Sequence, residues 1–346
     1  MTAPGGILHW SRAERVSATR MLSAALGLAT PVVVGALTGH IAEGMTAALG
    51  ALAMAEVGDS GSATQRVSDV LLCLGSVILA MLLGTFVTRE GVAGAFALVA
   101  AAALASAIGS SSREAAKATM KFTIFMAIAT FAPWPANDPF RMVIAFATGA
   151  MWGGVIPLVL GAALHVFRRE LVANPPGRGA HLPWPERLVR AASKREAWSY
   201  TVRLVVALAA ALTVRHFWRS PHAYWVVVTA AIVVTRAATG THVRALQRTL
   251  GTLAGVVVGT VLLAWPTPTW AILAAIAVIA GLRPLLKARN YLAYSAVMTP
   301  LVVMLLEFGR SFESAIMVER LVATLAGCAI AMAADFVVPG APKTPA

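Results

Sequence analysis

The sequence predicts an all-α polytopic membrane protein, and its composition supports that fold class. Hydrophobic residues make up 58% of the 346-residue chain, charged residues make up 12%, and the mean hydropathy is +0.76. A soluble domain is about 45–50% apolar and about 25% charged, so this chain has too little polar surface to cover a globule in water. The composition therefore excludes a soluble enzyme, a secreted disulfide-rich domain and a disordered chain.

Apolar segments separated by charged residues, proline or glycine are the candidate spans, and a spanning helix needs about 20 apolar residues. The segments 41–57, 119–134 and 223–237 are short, which is typical of tilted, broken or incompletely spanning helices. The sequence therefore predicts about 12 transmembrane helices, with a range of 10–12. The segments are 21–38, 41–57, 70–88, 92–108, 119–134, 141–167, 199–217, 223–237, 246–265, 269–286, 290–307 and 319–338.

The distribution of Lys and Arg predicts the orientation, because cytoplasmic loops carry an excess of these residues. Residues 1–19 lack the apolar region and small-residue cleavage site of a signal peptide. We therefore expect an inner (plasma) membrane protein with both termini in the cytoplasm. With twelve spans, the basic residues that fall outside are Arg89, Arg141, Arg215, Arg219, Arg310 and Arg320.

A polar stretch divides the chain into two halves. Residues 168–197 hold seven basic residues and four prolines and are too short for a domain. They predict a cytoplasmic linker that lies on anionic lipid headgroups, with partner docking as the alternative. The predicted organisation is an N-terminal six-helix repeat at 1–167, this linker, a C-terminal six-helix repeat at 198–338 and a cytoplasmic tail at 339–346.

The two halves match at a nearly constant offset, which indicates an internal repeat. Six spans per half is an even number, so both halves have the same orientation and form a parallel repeat. Sites in such proteins tend to lie at the interface between the halves. The matched residues are Arg20 with Arg203, Thr46 with Thr229, Arg66 with Arg248, and Arg141 with Arg320, at offsets of 183, 183, 182 and 179.

A shorter pattern recurs within the C-terminal half, where an arginine is followed at i+3, i+4 and i+7 by small and hydroxyl residues. These positions share one helix face, and small residues there let helices approach closely. The pattern begins at Arg248 and again at Arg320. The residues expected in helix packing or gating are Gly251, Thr252, Gly255, Gly259, Thr324, Gly327 and, as a mid-span helix kink, Pro300.

The same arginines are candidates for anion binding, since a guanidinium near a helix N-terminus suits a carboxylate or phosphate. The excess of basic residues in the cytoplasm explains Arg248 without any function. It does not explain Arg320, which is predicted to lie outside. A salt bridge to Glu313 or Glu319 is the alternative reason for Arg320.

Several segments of the C-terminal half together resemble the fusaric acid resistance-like family, part of the aromatic acid exporter superfamily and also called the integral membrane-bound transporter domain. The resemblance covers 198–338. The N-terminal half is a degenerate copy, because Asp69 and Cys73 stand where the C-terminal half has Gly251 and Gly255. The segments are Ala223-Tyr224-Trp225, Gly240-Thr241, Arg248 to Gly259, Asn290-Tyr291, Met298-Thr299-Pro300 and Arg320 to Gly327.

The resemblance implies export of aromatic carboxylic acids or similar organic anions, generally driven by the proton gradient. Such a substrate needs a cation for its carboxylate and a flat ring for its aromatic face. The cation candidates are Arg203, Arg248 and Arg320, and the ring candidates are Tyr224, Trp225 and Tyr291. A belt of aromatic residues at the membrane interface is the alternative explanation for the rings.

Proton coupling requires a titratable group in the membrane. The candidates are Glu56, Asp69, Glu307 and Asp335, all at or near predicted span ends. Plant organic-anion channels resemble the same module, so a passive channel is an alternative to a coupled exporter. A non-transporting accessory membrane protein is a third possibility.

Catalytic and cofactor motifs are missing from the sequence. It contains no phosphate-binding loop, no dinucleotide fingerprint, no HExxH and no paired-cysteine zinc pattern. We therefore expect no enzyme activity, no catalytic or metal-binding residue and no cofactor. The expected partners are a small organic anion and membrane lipids rather than nucleic acid, and a homo-oligomer is left open.

Overall fold

The structure, a computed structural model, describes most of the helical part of the chain. The predicted tail at 339–346 and most of the predicted linker lie outside the described residues. The description covers residues 10, 16–57, 63–87, 91–132, 138–167, 186, 189–190, 193, 195–218, 220–236, 238–264, 268–307 and 314–338. Within these ranges, the side chains of 63, 165–167, 196, 238–240, 262–264, 307 and 314 are outside the description.

The described residues form twelve helices and no strand, which confirms the predicted helical class. Most helices begin before the apolar segment that predicts them. The helices are α1 Ala18–Leu37, α2 Ile41–Ala53, α3 Ala63–Val87, α4 Gly91–Ile108, α5 Arg113–Phe131, α6 Pro139–Phe167, α7 Arg195–Phe217, α8 Tyr224–Val233, α9 Ala238–Ala264, α10 Thr269–Arg289, α11 Tyr291–Glu307 and α12 Ser314–Val337.

Polar side chains before several helices explain where those helices start. The first backbone N–H groups of a helix have no partner within it, and a side-chain oxygen just before the helix can accept from them. Ser17 accepts from Arg20 N at 3.3 Å, and Ser112 accepts from Ala115 N at 3.0 Å. Asp138 and Asn290 do the same for α6 and α11.

Seven described helices are long and apolar enough to cross a membrane, by length and composition. Large apolar side chains such as Leu37, Phe96 and Phe336 are exposed on the surface of the protein. Exposed apolar surface on this scale suits lipid rather than water. The seven spans are Ala18–Leu37, Thr64–Val87, Gly91–Ile108, Pro139–Leu164, Ala197–Phe217, Thr269–Arg289 and Ala315–Val337.

Two helices are too short to cross a bilayer alone. α2 has 13 residues and α8 has 10, which correspond to about 20 Å and about 15 Å, against about 30 Å of hydrocarbon. Both come from segments predicted to be short. The third short segment is part of α5, which has 19 residues because it begins at Arg113 in a polar stretch.

The chain forms two compact units, and each combines helices from both halves of the sequence. The first unit comprises Met1–Ile78, Pro135–Gly179 and Leu250–Met317. In it α1 packs against α2, α6 and α10, while α11 packs against α10 and α2. The backbones of α2 and α6 lie close together, because a Cβ at Gly149 would clash with the backbone of Ala47.

The second unit comprises Leu79–Trp134, Ala180–Thr249 and Val318–Ala346. In it α7 packs against α4 and α8, while α5 packs against α4 and α8. α12 lies against α8, since a Cβ at Gly327 would approach Thr229 Cβ to 2.7 Å. α8 is buried on all sides, with nine of its ten residues buried.

The internal contacts of the two units follow one pattern. When the helices of each half are counted from one to six, each unit contains the first, second and sixth helices of one half. It also contains the fourth and fifth helices of the other half. The contacts α1–α2, α1–α10, α10–α11 and α11–α2 in the first unit correspond to α7–α8, α7–α4, α4–α5 and α5–α8 in the second.

Candidate functional site

The second unit buries an arginine beneath an aromatic ring. Arg320 lies in the second turn of α12 and is 2% exposed. Its guanidinium carbon lies 3.2 Å from the centroid of the Trp225 ring. A desolvated cation over a Trp face is stabilised by about 2 kcal/mol or more. The contact therefore fixes the guanidinium in position without neutralising its charge.

The aromatic side of the site is the first turn of α8. Tyr224 and Trp225 are adjacent in sequence and both buried, and their ring centroids are 4.7 Å apart at an interplanar angle of 31°. Thr229 lies one turn further along α8, on the same face as Trp225. Together these side chains present a flat, mostly apolar surface next to Arg320.

A second arginine adds to the positive charge. Arg248, on α9, is 5% exposed, and its charge lies close enough to Arg320 for the two to repel. Two buried like charges are unfavourable unless an anion or its equivalent lies between them or beside them. The sequence paired these two arginines by motif, and the structure places them in one cluster.

No described acidic residue neutralises Arg320. Its Nε and Nη1 atoms are buried and have no hydrogen-bond partner among the described residues, and the described ion pairs do not include it. The neighbouring Glu319, one alternative partner, is 2.7 Å from His222 Nδ1 and accepts from the Ser220 hydroxyl at 2.8 Å. Glu313, the other alternative, lies outside the described residues.

Another polar atom at the site also lacks a described partner. Thr229 Oγ1 is buried and has no hydrogen-bond partner among the described residues. A buried hydroxyl without a partner costs free energy, as do the free N–H groups of Arg320. We call Arg320, Arg248, Tyr224, Trp225 and Thr229 the cationic cluster. Its arginines are hydrogen-bond donors with positive charge, and its rings form a flat apolar face.

Arg203, the third predicted cation, lies in a different part of the same unit. Its Nη1 donates to Asp335 Oδ1 at 2.5 Å, and its Nη2 donates to the backbone carbonyl of Arg236 at 3.0 Å. Both side chains of the ion pair are almost fully buried, at 1% and 2% exposure. In this conformation Asp335, a predicted proton-coupling residue, therefore neutralises the charge of Arg203.

A polar network that sequence reasoning missed surrounds this ion pair. The guanidinium of Arg236 lies 4.4 Å from the Tyr200 ring centroid and donates to Ser110 Oγ at 3.0 Å. The Ser106 hydroxyl donates to Thr201 at 2.8 Å. These residues are far apart in sequence. The feature of the sequence that could have indicated the network is the presence of polar residues within otherwise apolar helices.

The predicted packing glycines lie where another segment comes close, which is the α11 backbone at Gly251 and Gly255 and the Met317 side chain at Gly259. A Cβ at Gly251 would come within 2.6 Å of the Leu292 carbonyl oxygen of α11, and one at Gly259 within 2.6 Å of Met317. At Gly255 it would clash with the Ala296 carbonyl, which Pro300 leaves without its helical donor. Thr252 is fully buried, and Thr324 donates back to the carbonyl of Arg320.

The remaining predicted residues lie in the first unit. Tyr291 begins α11 with its ring 5.7 Å from that of Tyr294, so its ring stacks within its own helix. Glu56 pairs with Lys287 at 2.5 Å. Asp69 is half-buried in α3, and Glu307 ends α11 with a side chain outside the description.

Metal-binding groups are not found among the described residues, which hold no cluster of three or more His, Cys, Asp or Glu side chains. The two cysteines, Cys73 and Cys328, are both buried and not in a disulfide.

The fold and the site define a class before any comparison: a multi-pass helical membrane protein with a buried arginine, Arg320, that no described acidic residue neutralises. Residues 204–334 match the family model described as fusaric acid resistance protein-like. The match confirms the predicted family over this region, which contains the whole cationic cluster, and it indicates a membrane transporter or resistance protein. No curated protein and no solved structure matches the chain.

Proposed function

We propose that the protein exports organic anions, in particular aromatic carboxylic acids, across the inner membrane. The observation that carries the proposal is Arg320, which is buried against Trp225 with two N–H groups that have no described partner. A carboxylate is the natural acceptor for those donors, since guanidinium–carboxylate pairs are bidentate and charge-assisted.

The rest of the cationic cluster gives this site its selectivity. Arg248 supplies a second positive charge, so an anion gains more from binding than a neutral analogue of the same shape. The rings of Tyr224 and Trp225 favour a substrate with a flat apolar body. Thr229 Oγ1 offers a further hydrogen bond to a polar substituent on that body.

We also propose that the twelve helices form two parallel repeats with both termini in the cytoplasm. The matched sequence offsets and the shared contact pattern of the two compact units support this arrangement. The short helices α2 and α8 are the second helix of each repeat. Rearrangement of the repeats would expose the cationic cluster to each side of the membrane in turn.

For the proton, we propose Asp335 as the coupling residue. Its Oδ1 is held by Arg203, while its Oδ2 is buried without a described hydrogen-bond partner. The other charged or titratable groups nearby include Arg236, whose carbonyl accepts from Arg203, Tyr200 beneath the Arg236 guanidinium, and Arg244, whose charge acts on Tyr200. Protonation of Asp335 would release the charge of Arg203 for substrate, which links proton movement to anion movement.

The test is efflux of radiolabelled benzoate from cells that express the protein. We expect Arg320→Gln and Trp225→Leu each to lower efflux at least about tenfold, because each removes a charge-assisted or cation–π contact to a desolvated group. The matched control is Arg113→Gln, which removes an exposed arginine at the start of α5 in the same unit. A protonophore should abolish efflux by the unchanged protein.

The other outcomes separate the alternatives. Efflux that survives the protonophore and follows the benzoate gradient would favour a passive anion channel. Efflux that Arg320→Gln leaves unchanged would remove the cationic cluster from the mechanism. No efflux of any member of a panel of aromatic and aliphatic carboxylates would favour a non-transporting accessory protein.

A further inference from the structure

The first compact unit contains a pocket that the proposed function does not use. It holds about 440 Å³ of unfilled space including its mouth, and residues of α1, α2, α6 and α10 line it. By the measure used for protein cavities its volume is about 40 Å³, which leaves room for a few waters or one carboxylate group. We call it the Arg283 pocket, after the residue that contributes its main charge.

Arg283 is a buried cation without a described counter-ion. It is 3% exposed, its Nε has no hydrogen-bond partner among the described residues, and it takes part in none of the described ion pairs. Burial of a guanidinium is costly unless an anion or hydrogen-bond acceptors compensate it. Because the side chain lines the pocket, a ligand there can supply that compensation.

With the other charged groups included, the net charge of the pocket is positive. Arg20 adds a second guanidinium from the first turn of α1, where the helix dipole is also positive. The acidic lining residue, Glu56, is already paired with Lys287 at 2.5 Å. Glu56 has φ +62°, a strained conformation for a residue other than glycine. Such strain is often found at binding sites.

The rest of the wall is apolar apart from Ser23. Leu28, Met54 and Pro157 line the pocket together with Gly27. A Cβ built at Gly27 would meet no atom within 4 Å, so the pocket is open beside this residue. The cationic end and the apolar wall together suit a molecule with a carboxylate at one end and a hydrocarbon body at the other.

The second unit shows how a buried arginine in the corresponding position is neutralised. Arg203 is matched to Arg20 by the sequence repeat. The guanidinium of Arg203 forms an ion pair with Asp335. None of the described ion pairs gives Arg283 a carboxylate in that role, and Glu56 pairs with Lys287. Arg283 is thus left for an external anion.

We propose that the Arg283 pocket is a second binding site, which takes a small carboxylate with an apolar body at the cytoplasmic end of the first unit. This inference rests on the proposed function, because it assigns to the same ligand class an inner site from which substrate is collected. Arg20 and Arg283 both lie at helix ends that the predicted orientation places in the cytoplasm.

The test measures ligand binding at the Arg283 pocket directly, through the reactivity of a thiol placed in it. Gly27→Cys places a thiol in the open space, and its reaction with an anionic methanethiosulfonate reagent is followed in purified full-length protein. We expect the anionic reagent to react about tenfold faster than its cationic counterpart, and benzoate but not benzyl alcohol to slow the reaction about tenfold. The unchanged protein, with only buried Cys73 and Cys328, gives the background rate.

Arg283→Gln in the Gly27→Cys protein should abolish both the charge preference and the protection by benzoate. Arg289→Gln, on the exposed end of the same helix, should leave both unchanged. Arg283→Lys keeps the charge if the Gln variant fails to fold, and it should retain the reagent preference while weakening protection. Failure of benzoate to protect, or equal protection after Arg283→Gln, overturns the inference.

The two proposals fail in different ways. Protection by benzoate in a protein that shows no efflux would reject transport and retain the pocket. Efflux that depends on Arg320, without protection at Gly27→Cys, would reject the pocket and retain transport.

Discussion

Arg203 and Arg320 are both buried in the second unit, yet their charges are held in different ways. Arg203 meets a carboxylate, while Arg320 meets the face of a Trp ring. An ion pair neutralises a charge, whereas an aromatic ring stabilises it and leaves it available. At the residue scale, this difference is why we propose a structural or coupling role for Arg203 and a binding role for Arg320.

The buried ion pair leads to a stability prediction. Asp335→Asn leaves the Arg203 charge unpaired, and we expect it to lower the free energy of unfolding by about 3–5 kcal/mol. A double variant, Arg203→Met with Asp335→Leu, should recover most of that loss because no buried charge remains. Thermal unfolding of the detergent-solubilised protein measures both effects.

The control for this prediction is the more exposed pair in the first unit. Arg141 lies 3.2 Å from Glu43 and its side chain is 55% exposed, so Arg141→Gln should cost only about 0–1 kcal/mol. A double variant as unstable as Asp335→Asn alone would show that packing, rather than charge, holds Arg203 in place.

At the scale of the element, the short helices are the most informative. α2 and α8 are the second helices of the two halves, and the glycines of α6 and α12 bring the neighbouring backbones against them. Short, closely packed helices can present their ends inside the membrane, where the first turn of α8 carries Tyr224 and Trp225.

A glycine substitution tests this close packing. Gly149→Ala should lower the free energy of unfolding by about 1–3 kcal/mol, because its methyl group clashes with the α2 backbone. Gly75→Ala, on α3, is the matched control, because its methyl group meets nothing within 4 Å and should raise stability by about 1 kcal/mol or less. Equal unfolding midpoints for the two variants would contradict the packing described for α2 and α6.

At the scale of the whole molecule, three of the six arginines predicted to lie outside have local explanations that a count of charges lacks. Arg141 pairs with Glu43, Arg215 lies 3.8 Å from the Phe131 ring centroid, and Arg320 is buried on Trp225. Each is held by a specific contact and need not follow the excess of basic residues in the cytoplasm. The remaining charge asymmetry therefore supports the proposed orientation.

The orientation predicts the behaviour of reporter fusions. A fluorescent protein fused after residue 346 should fluoresce, and a phosphatase fused there should be inactive, because the C-terminus is expected in the cytoplasm. Fusions after residue 218, beyond α7, should show the opposite pattern. A phosphatase that is active at residue 346 would mean that the orientation is reversed or that the number of spans is odd.

Composition and periodic patterns were sufficient for the helices themselves. Hydropathy located each apolar segment, and each segment forms a helix because backbone N–H and C=O groups in lipid must hydrogen-bond within the protein. It placed several helix starts too late, as at α3 and α9, because hydrogen bonding continues into polar turns that hydropathy scores as loop. The motif shared by Arg248 and Arg320 likewise identified two residues that the fold brings together.

Only the tertiary structure decided which charges are paired and which are not. The sequence offered Arg203, Arg248 and Arg320 as equivalent cations, and it treated Asp335 as independent of them. Pairing depends on which helices become neighbours, and residues 132 positions apart meet in the Arg203–Asp335 pair. The Arg283 pocket has the same origin: its walls come from four helices of both halves, and no local pattern along the chain predicts a cavity between them.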